Sequence, residues 1–354
     1  MTPIAHNKPW ITRDDVAAVD ALLETRWLAP GPETAALEQD FVALHGGGGA
    51  CAVSSGSAAL FVALKALGIG PGHLIAIPTY VCTAVLNAIA LCGAEPVLAD
   101  IDGERFNIDP AAMAAMARKP DAAIAVHTYG AAADVAALQR LCPVVVEDCA
   151  QAIGGVDSED RPLGTTGTVA IHSFYATKIV TSGHGGMVYA RDGKAAAAAR
   201  DYVLFDGRES WKPRFNFQTT DFQAALARRQ LARLDAIAAR RRAIAAAYRA
   251  ALPAGYTLQA GIHGPRDMPY RFVVRTPDER VRDALKAHFA SRDIGVIVPL
   301  ETLELLHRYL GMPASAFPTA ERVAATTLSL PLYPALRDDE ARRVADALAE
   351  APKP

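Results

Sequence analysis

Two side chains in this sequence have the types and placement for carbonyl chemistry. Lys178 stands between an apolar run with its turn (Ile171 to Ala176) and a loop dense in glycine, with Gly183, Gly185 and Gly186. An ammonium at the mouth of a buried segment must be desolvated or neutralised. Desolvation lowers its pKa and frees the amine to attack a carbonyl, which is the chemistry of a Schiff base. Most lysines are solvated surface charges, so this placement carries weight only with a partner. The partner is found upstream, in V-V-V-E-D-C-A-Q-A. Val144 to Val146 read as a buried strand, and Glu147 and Asp148 sit at its C-terminal end, where open parallel sheets place their ligands. An amine to hold an aldehyde and an anion to keep a pyridine nitrogen protonated are the two groups that pyridoxal phosphate requires.

The elements that must position these groups alternate along the chain. Strands are expected at Ala50 to Val53, Leu74 to Ile77, Pro96 to Ala99, Ala123 to Val126, Val144 to Val146 and Met187 to Ala190, with helical patterns between them. Such alternation with short connections predicts a mostly parallel sheet covered by helices on both faces. Ser54 to Ala58 follows the first strand and opens a helix. Its small residues let the backbone approach a ligand, and the first-turn N-H groups favour an anion. That is the expected seat of the cofactor phosphate, and a plain serine cap is the simpler alternative. Gly46 to Gly49 completes neither G-x-G-x-x-G nor G-K-[ST] and reads as a turn.

Further on, Thr12 to Asp15 is expected to cap a first helix, and Pro30, Gly31 and Pro32 to break it. An unbroken helix is expected from Thr220 to Ala251, with Asp221 as its cap. It ends before Pro253 and Gly255, a natural hinge. Beyond the hinge, strands at Tyr270 to Val274 and Gly295 to Val298 and a helix at Asp278 to Ser291 suggest a smaller α/β unit. The chain thus divides into a large unit over 1–250, whose first 30 residues pack towards the small one, and a small unit over 251–354.

Composition narrows the class. A formal net charge of -2 gives no reason to expect nucleic acid or an anionic membrane as partner. No apolar run is long enough for a span, and no basic and apolar leader opens the chain. The five cysteines (Cys51, Cys82, Cys92, Cys142, Cys149) are scattered without a C-x-x-C pair, as in a reduced, cytoplasmic protein. No H-E-x-x-H motif is present, so no catalytic metal is expected.

The segments E-D-C-A-Q-A and S-F-Y-A-T-K-x-x-x-x-G-x-G-G resemble the DegT/DnrJ/EryC1/StrS family of aminotransferases acting on sugars with pyridoxal phosphate. The similarity runs from W-L-A-P-G-P (Trp27 to Pro32) through S-S-G-S-A-A-L and V-H-T-Y-G to L-S-L-P-L-Y-P. It implies the aspartate aminotransferase-like fold type I, with a mostly parallel seven-stranded sheet in the large domain and a small C-terminal α/β domain. It also implies roles at matching positions. Lys178 would carry the cofactor and shuttle a proton; Asp148 would pair with the ring nitrogen; Gln151 would bond near the phenolic oxygen. Gly56, Ser57, Ala58 and Ser173 would hold the phosphate, and Glu147 would be structural. Asn216 would reach the phosphate of a partner's cofactor, so the implied unit is at least a homodimer.

The sequence departs from the family pattern at four places. Cys82 stands where an aromatic usually stacks on the ring, with Tyr80 as the other candidate. His184 replaces a glutamate, Gln218 an arginine, and Val298, Pro299 and Leu300 replace a histidine and tyrosine of the sugar pocket. His127 ends a strand on the ligand side, either near the site or as a satisfied core histidine. The activity expected from the resemblance is amino transfer from an amino acid, glutamate first, to a 3-keto or 4-keto hexose on a nucleotide. The alternatives are a transaminase of a cyclitol or other ketone, and a regulatory protein that keeps the fold without turnover.

Overall fold

The computed structural model describes residues 2–353. The chain opens with α1 (Arg13–Thr25) and α2 (Pro32–Leu44); α1 stops before the expected break, at Arg26 with φ 60°, and Pro32 is the first residue of α2, where its missing N-H costs nothing. The α1 start is fixed as expected, with the Thr12 amide donating to Asp15 Oδ2 at 2.7 Å. There follow β1 (Gly49–Val53), α3 (Gly56–Ala66), β2 (Leu74–Pro78), α4 (Thr83–Cys92), β3 (Glu95–Ala99) and α5 (Pro110–Ala114). Next come β4 (Ala122–Val126), α6 (Val135–Gln139), β5 (Val144–Asp148), β6 (Val169–Ser173), β7 (Gly186–Ala190) and α7 (Lys194–Val203). These seven strands form one sheet in the order β1-β7-β6-β5-β4-β2-β3, in which only β7 runs antiparallel to its neighbours. Helix crossovers bury both faces, which is why β2, β4 and β7 are buried at every position instead of alternating.

The parallel strands β1, β2, β4, β5 and β6 all end at one edge. The chain leaves β4 and β5 there through His127 and Cys149, and β6 through the loop to Lys178. This edge is where the doubly wound arrangement opens a crevice.

The expected long helix is two: α8 (Asp221–Ala232) and α9 (Leu234–Ala250). They part at Arg233, whose φ of -105° and ψ of 14° leave the helical region. No proline or glycine marks the break, so composition could not show it. The cap assignment is also corrected. Thr220 caps α8, accepting from the Gln223 amide, while Asp221 turns back to the start of α2. Its carboxylate accepts the amides of Gly31 (2.7 Å), Glu33 (3.1 Å) and Thr34 (2.9 Å) and the Thr34 hydroxyl (2.7 Å). The free N-H groups of a helix start attract a charged acceptor wherever the fold brings one.

The remainder comprises β8 (Thr257–Leu258), β9 (Phe272–Arg275), α10 (Glu279–Ala290), α11 (Leu306–Tyr309), α12 (Pro318–Thr326), β10 (Thr327–Leu330) and α13 (Asp338–Ala349). Its sheet is antiparallel in the order β10-β9-β8. Gly295 to Val298 is not a strand. Ile294 and Ile297 make single bridges, to Ile4 and Ser329. The bridge at Ile4 ties the amino terminus to this unit. Ile4 shares a core with Tyr248, Phe272, Phe289 and Leu328, so the second core also draws on the last turns of α9.

Candidate functional site

The chemistry-bearing residues gather at the carboxyl edge of the large sheet. Asp148 is the last residue of β5 and only 6% exposed. Its Oδ1 accepts the Ala150 amide at 2.9 Å, and among the described residues its other oxygen has no partner. Burial raises its pKa above the ordinary carboxylate value, opposed by the Ala150 hydrogen bond and by the charge of Lys178. Lys178 is half-buried in the turn after β6, and its backbone amide donates to Tyr175 O at 2.8 Å. Thr177, just before it, has its carbonyl held by Asn7 Nδ2 at 3.3 Å, so the amino-terminal segment steadies the lysine loop.

Cys82, the residue before α4, reaches solvent but is walled by protein. Its thiol is pushed up first by that desolvation and then by the negative charge of Asp148, with Lys178 working against both. Cys82 follows β2, Asp148 ends β5 and Lys178 follows β6, so all three stand at the same edge of the sheet. Tyr80, the other candidate, is 2% exposed; it receives the Tyr129 hydroxyl at 3.0 Å and packs edge-on to Phe106. Gln151 is half-buried, and its Oε1 accepts the Tyr129 amide at 2.9 Å.

At the start of α3, Ser55 is the cap and its Oγ accepts the Ala58 amide at 3.0 Å. The Ala58 N-H is therefore spent, and the Gly56 and Ser57 amides are the first-turn donors left over. Ser173, at the end of β6, stands against Gly56. A methyl group on that glycine would lie 2.7 Å from Ser173 Cβ and 2.9 Å from its Oγ. Gly56 and Ser173 thus pack so closely that no side chain at position 56 could fit between them.

Asn216 lies in a stretch without regular structure. Phe217 turns inward and its carbonyl accepts the Ser54 amide at 2.7 Å, while Asn216 points outward and is exposed. His127 is fully buried, with Nε2 3.0 Å from Glu147 Oε2 and Nδ1 accepting the Ala133 amide. Glu147 also receives the amides of Gly164, Thr166 and Gly167. Burial would raise its pKa, but the His127 bond and these amides hold it below the usual value. His127, Glu147 and Cys149 lie close enough to share a metal ion, yet the hydrogen bonds already occupy the imidazole and the carboxylate. This pair is a structural hub. His184 is exposed and packs edge-on to Tyr175.

The sequence reading passed over Tyr270 and Arg271. The Tyr270 ring lies under the Lys178 ammonium, 5.4 Å from Nζ to the ring centroid. Burial would raise this phenol, but Lys178 and Arg271, the Thr177 hydrogen bond and Arg241 together bring it below its ordinary value. Nothing in Y-R-F-V-V-R sets Tyr270 and Arg271 apart from an ordinary strand entrance. A larger groove of about 660 Å³ lies between α1, α2 and α8. Arg228 there reaches Glu33 at 2.8 Å and Asp40 at 2.7 Å, and among the described residues no cysteine, lysine or histidine lines the groove.

The profile of the DegT/DnrJ/EryC1/StrS aminotransferase family matches residues 9–349. The chain belongs to this family. It is 31% identical to the spore coat polysaccharide biosynthesis protein SpsC of Bacillus subtilis, covering 99% of this chain and 97% of that protein. Among solved structures, the aminotransferase TlmJ from Streptoalloteichus hindustanus is 30% identical with a TM-score of 0.89, covering 99% of each chain. DesV of S. venezuelae, solved with a ketimine intermediate, is 33% identical with a TM-score of 0.87, covering 96% of this chain and 94% of that one. Membership makes the chain a pyridoxal phosphate-dependent aminotransferase of the aspartate aminotransferase-like fold, and the sheet order agrees with that architecture. Among the described residues of this family member, no helix is long and apolar enough to cross a membrane.

Proposed function

We propose that this chain moves an amino group from an amino acid, with glutamate as first candidate, to a 3-keto or 4-keto hexose carried on a nucleotide. One observation carries the reading: Asp148 is a buried carboxylate at the end of β5, and Lys178 lies in the turn after β6, the neighbouring strand, at the same edge of the sheet. The cofactor fits the residues present. Asp148 is a buried carboxylate with an oxygen to spare, which a protonated ring nitrogen would complete, and the Gly56 and Ser57 amides with Ser173 Oγ form an anion seat. When bound, pyridoxal phosphate supplies the carbonyl that takes up the amine and the ring that draws electrons from the reacting carbon.

The chain's own residues do the rest. The Lys178 amine takes a proton from the donor's α-carbon and returns it at the carbon beyond, as a general base and then acid. Asp148 stays anionic and holds its ring partner cationic through the cycle. Gln151, oriented by the Tyr129 amide, would bond on the phenolic side of the cofactor, and Cys82 would cover one ring face with less contact area than an aromatic would offer. Asn216 serves the partner's site. Its exposure, with Trp211 at 89% and Phe215 at 67%, supports a second copy covering this stretch. The unpaired thiols of all five cysteines support a cytoplasmic setting.

The name of the Bacillus subtilis relative supports a sugar as acceptor. A cyclitol or simpler ketone is the second reading, favoured by Val298, Pro299 and Leu300, which offer no side-chain hydrogen bonds to hydroxyl groups. The test is direct. Protein loaded with pyridoxal phosphate and reduced with borohydride should carry the adduct on Lys178 by peptide mass spectrometry, and glutamate should convert the cofactor to its amine form. Screening keto sugar nucleotides against keto-cyclitols for reversal of that conversion chooses the acceptor. Transamination by a Lys178→Ala protein would refute the assignment.

A further inference from the structure

Arg271 stands at the mouth of β9 with its guanidinium carbon 5.3 Å from the Tyr270 ring centroid and 5.6 Å from that of Tyr129. The Tyr270 ring is the one that Lys178 also overlies, so two cations flank one aromatic surface. Among the described residues no carboxylate pairs with Arg271, and its Nε is buried with no hydrogen-bond partner. Its one polar contact is a long one, Nη1 to His6 Nε2 at 3.4 Å. His6, itself 3.0 Å from Ser329 Oγ, is lowered to about 3 by burial and then by Arg271, so it is neutral near pH 7 and leaves the guanidinium charge uncompensated. The Tyr80 and Tyr129 hydroxyls are turned to each other.

The neighbouring buried arginine shows the contrast. Arg241 also lacks an acid, but its Nη1 is spent on the carbonyls of Tyr270 (3.1 Å) and Leu332 (3.0 Å). Arg271 has no such sink for its donors. A partly buried cation with unspent, forked N-H groups is complementary to a planar oxyanion.

We propose that Arg271 receives the carboxylate of the amino donor; this rests on the aminotransferase reading above. The donor's nitrogen must reach the Lys178 position, and its α-carboxylate is attached to the same carbon as that nitrogen. A cation sharing a ring with Lys178 is placed for that group. A sugar diphosphate, held away from the reacting carbon by the sugar ring, is not.

The test uses the protein loaded with pyridoxal phosphate, comparing the natural chain with Arg271→Met, which keeps the stem, and Arg271→Lys, which keeps the charge without the fork. Two quantities are read: the glutamate concentration that half-saturates conversion of the cofactor to its amine form, and the Kd of glutarate, an unreactive dicarboxylate, by calorimetry. Loss of a charge-assisted pair should raise both by about 10- to 100-fold in Arg271→Met. Arg271→Lys should recover part of the loss, and cofactor affinity and half-saturation by the keto acceptor should not move. Glutamate and glutarate values within twofold of the natural chain overturn the proposal. So does a defect confined to the acceptor half-reaction, which would give Arg271 to the diphosphate instead. If no amino acid converts the natural protein, the aminotransferase reading fails, and the glutarate titration still decides Arg271.

Discussion

Gly56 and Ser173 meet so closely that a single methyl group on the glycine would stand 2.7 Å from the serine Cβ. The contact joins the start of α3 to the end of β6, two points far apart in the chain, and shapes the seat we assign to the cofactor phosphate. Gly56→Ala should cost about 1–3 kcal/mol of stability through overpacking. It should weaken cofactor binding by at least about tenfold by turning the serine and the first amides off target. Denaturant unfolding and cofactor titration measure the two, and unchanged affinity would count against the seat.

Asp148 should trade stability for chemistry. Its folded pKa lies above the unfolded one, so the folded state binds more protons in between and loses stability as pH rises through that window. Above the window the full cost of a buried carboxylate remains. Cofactor-free Asp148→Asn should therefore be more stable than the natural chain at pH 7, and the gain should vanish as pH falls below the ordinary carboxylate value. Turnover should drop by at least about 100-fold, because a neutral amide cannot hold a ring nitrogen protonated. Thermal melts at pH 7 and pH 4 with a half-reaction assay check both signs.

Glu147 should behave in the opposite sense. Its pKa is held below the usual 4.5 in the folded state, so its contribution is complete above that value and is lost as pH falls through the folded one. Glu147→Gln puts an NH2 against either the His127 and Gly164 donors or those of Thr166 and Gly167, whichever way the amide turns. A loss of about 3–5 kcal/mol at pH 7 is expected, with a flatter acid limb, by denaturant unfolding across pH.

Asn216 offers a test of assembly. If it acts in the partner's site, Lys178→Ala and Asn216→Ala proteins, each inactive alone, should recover up to about a quarter of natural activity when mixed and allowed to exchange subunits. In half of the dimers, one site would then have both residues intact. No recovery, with exchange shown by mass spectrometry, would place Asn216 in its own subunit's site.

Asp221→Ala should destabilise without touching the chemistry. It removes the acceptor of three amides and a hydroxyl at the start of α2, at a cost of about 2–3 kcal/mol. Half-saturation by glutamate should be unchanged, and a large shift there would tie α2 to the site.

Local chemistry and periodicity determined a good deal on their own. Thr12 and Asp15 placed the first cap, and the all-apolar runs a parallel sheet covered on both faces, because each depends on neighbours within a few residues. Lys178 and Asp148 stood out for the same reason: a charge bordering a buried strand is a local anomaly. The helix break at Arg233, the missing strand at Gly295 and the true use of Asp221 were not legible. Each is decided by what comes up against the segment from more than a hundred residues away or by packing that no breaker residue marks. Tyr270 and Arg271 belong with them. Their sequence is that of an ordinary strand entrance, and only the folding of β9 beside the lysine loop brings a second cation to the ring beneath Lys178. Side-chain type and spacing declare what a residue can do, whereas the company it keeps across the chain is set by the packing of whole elements.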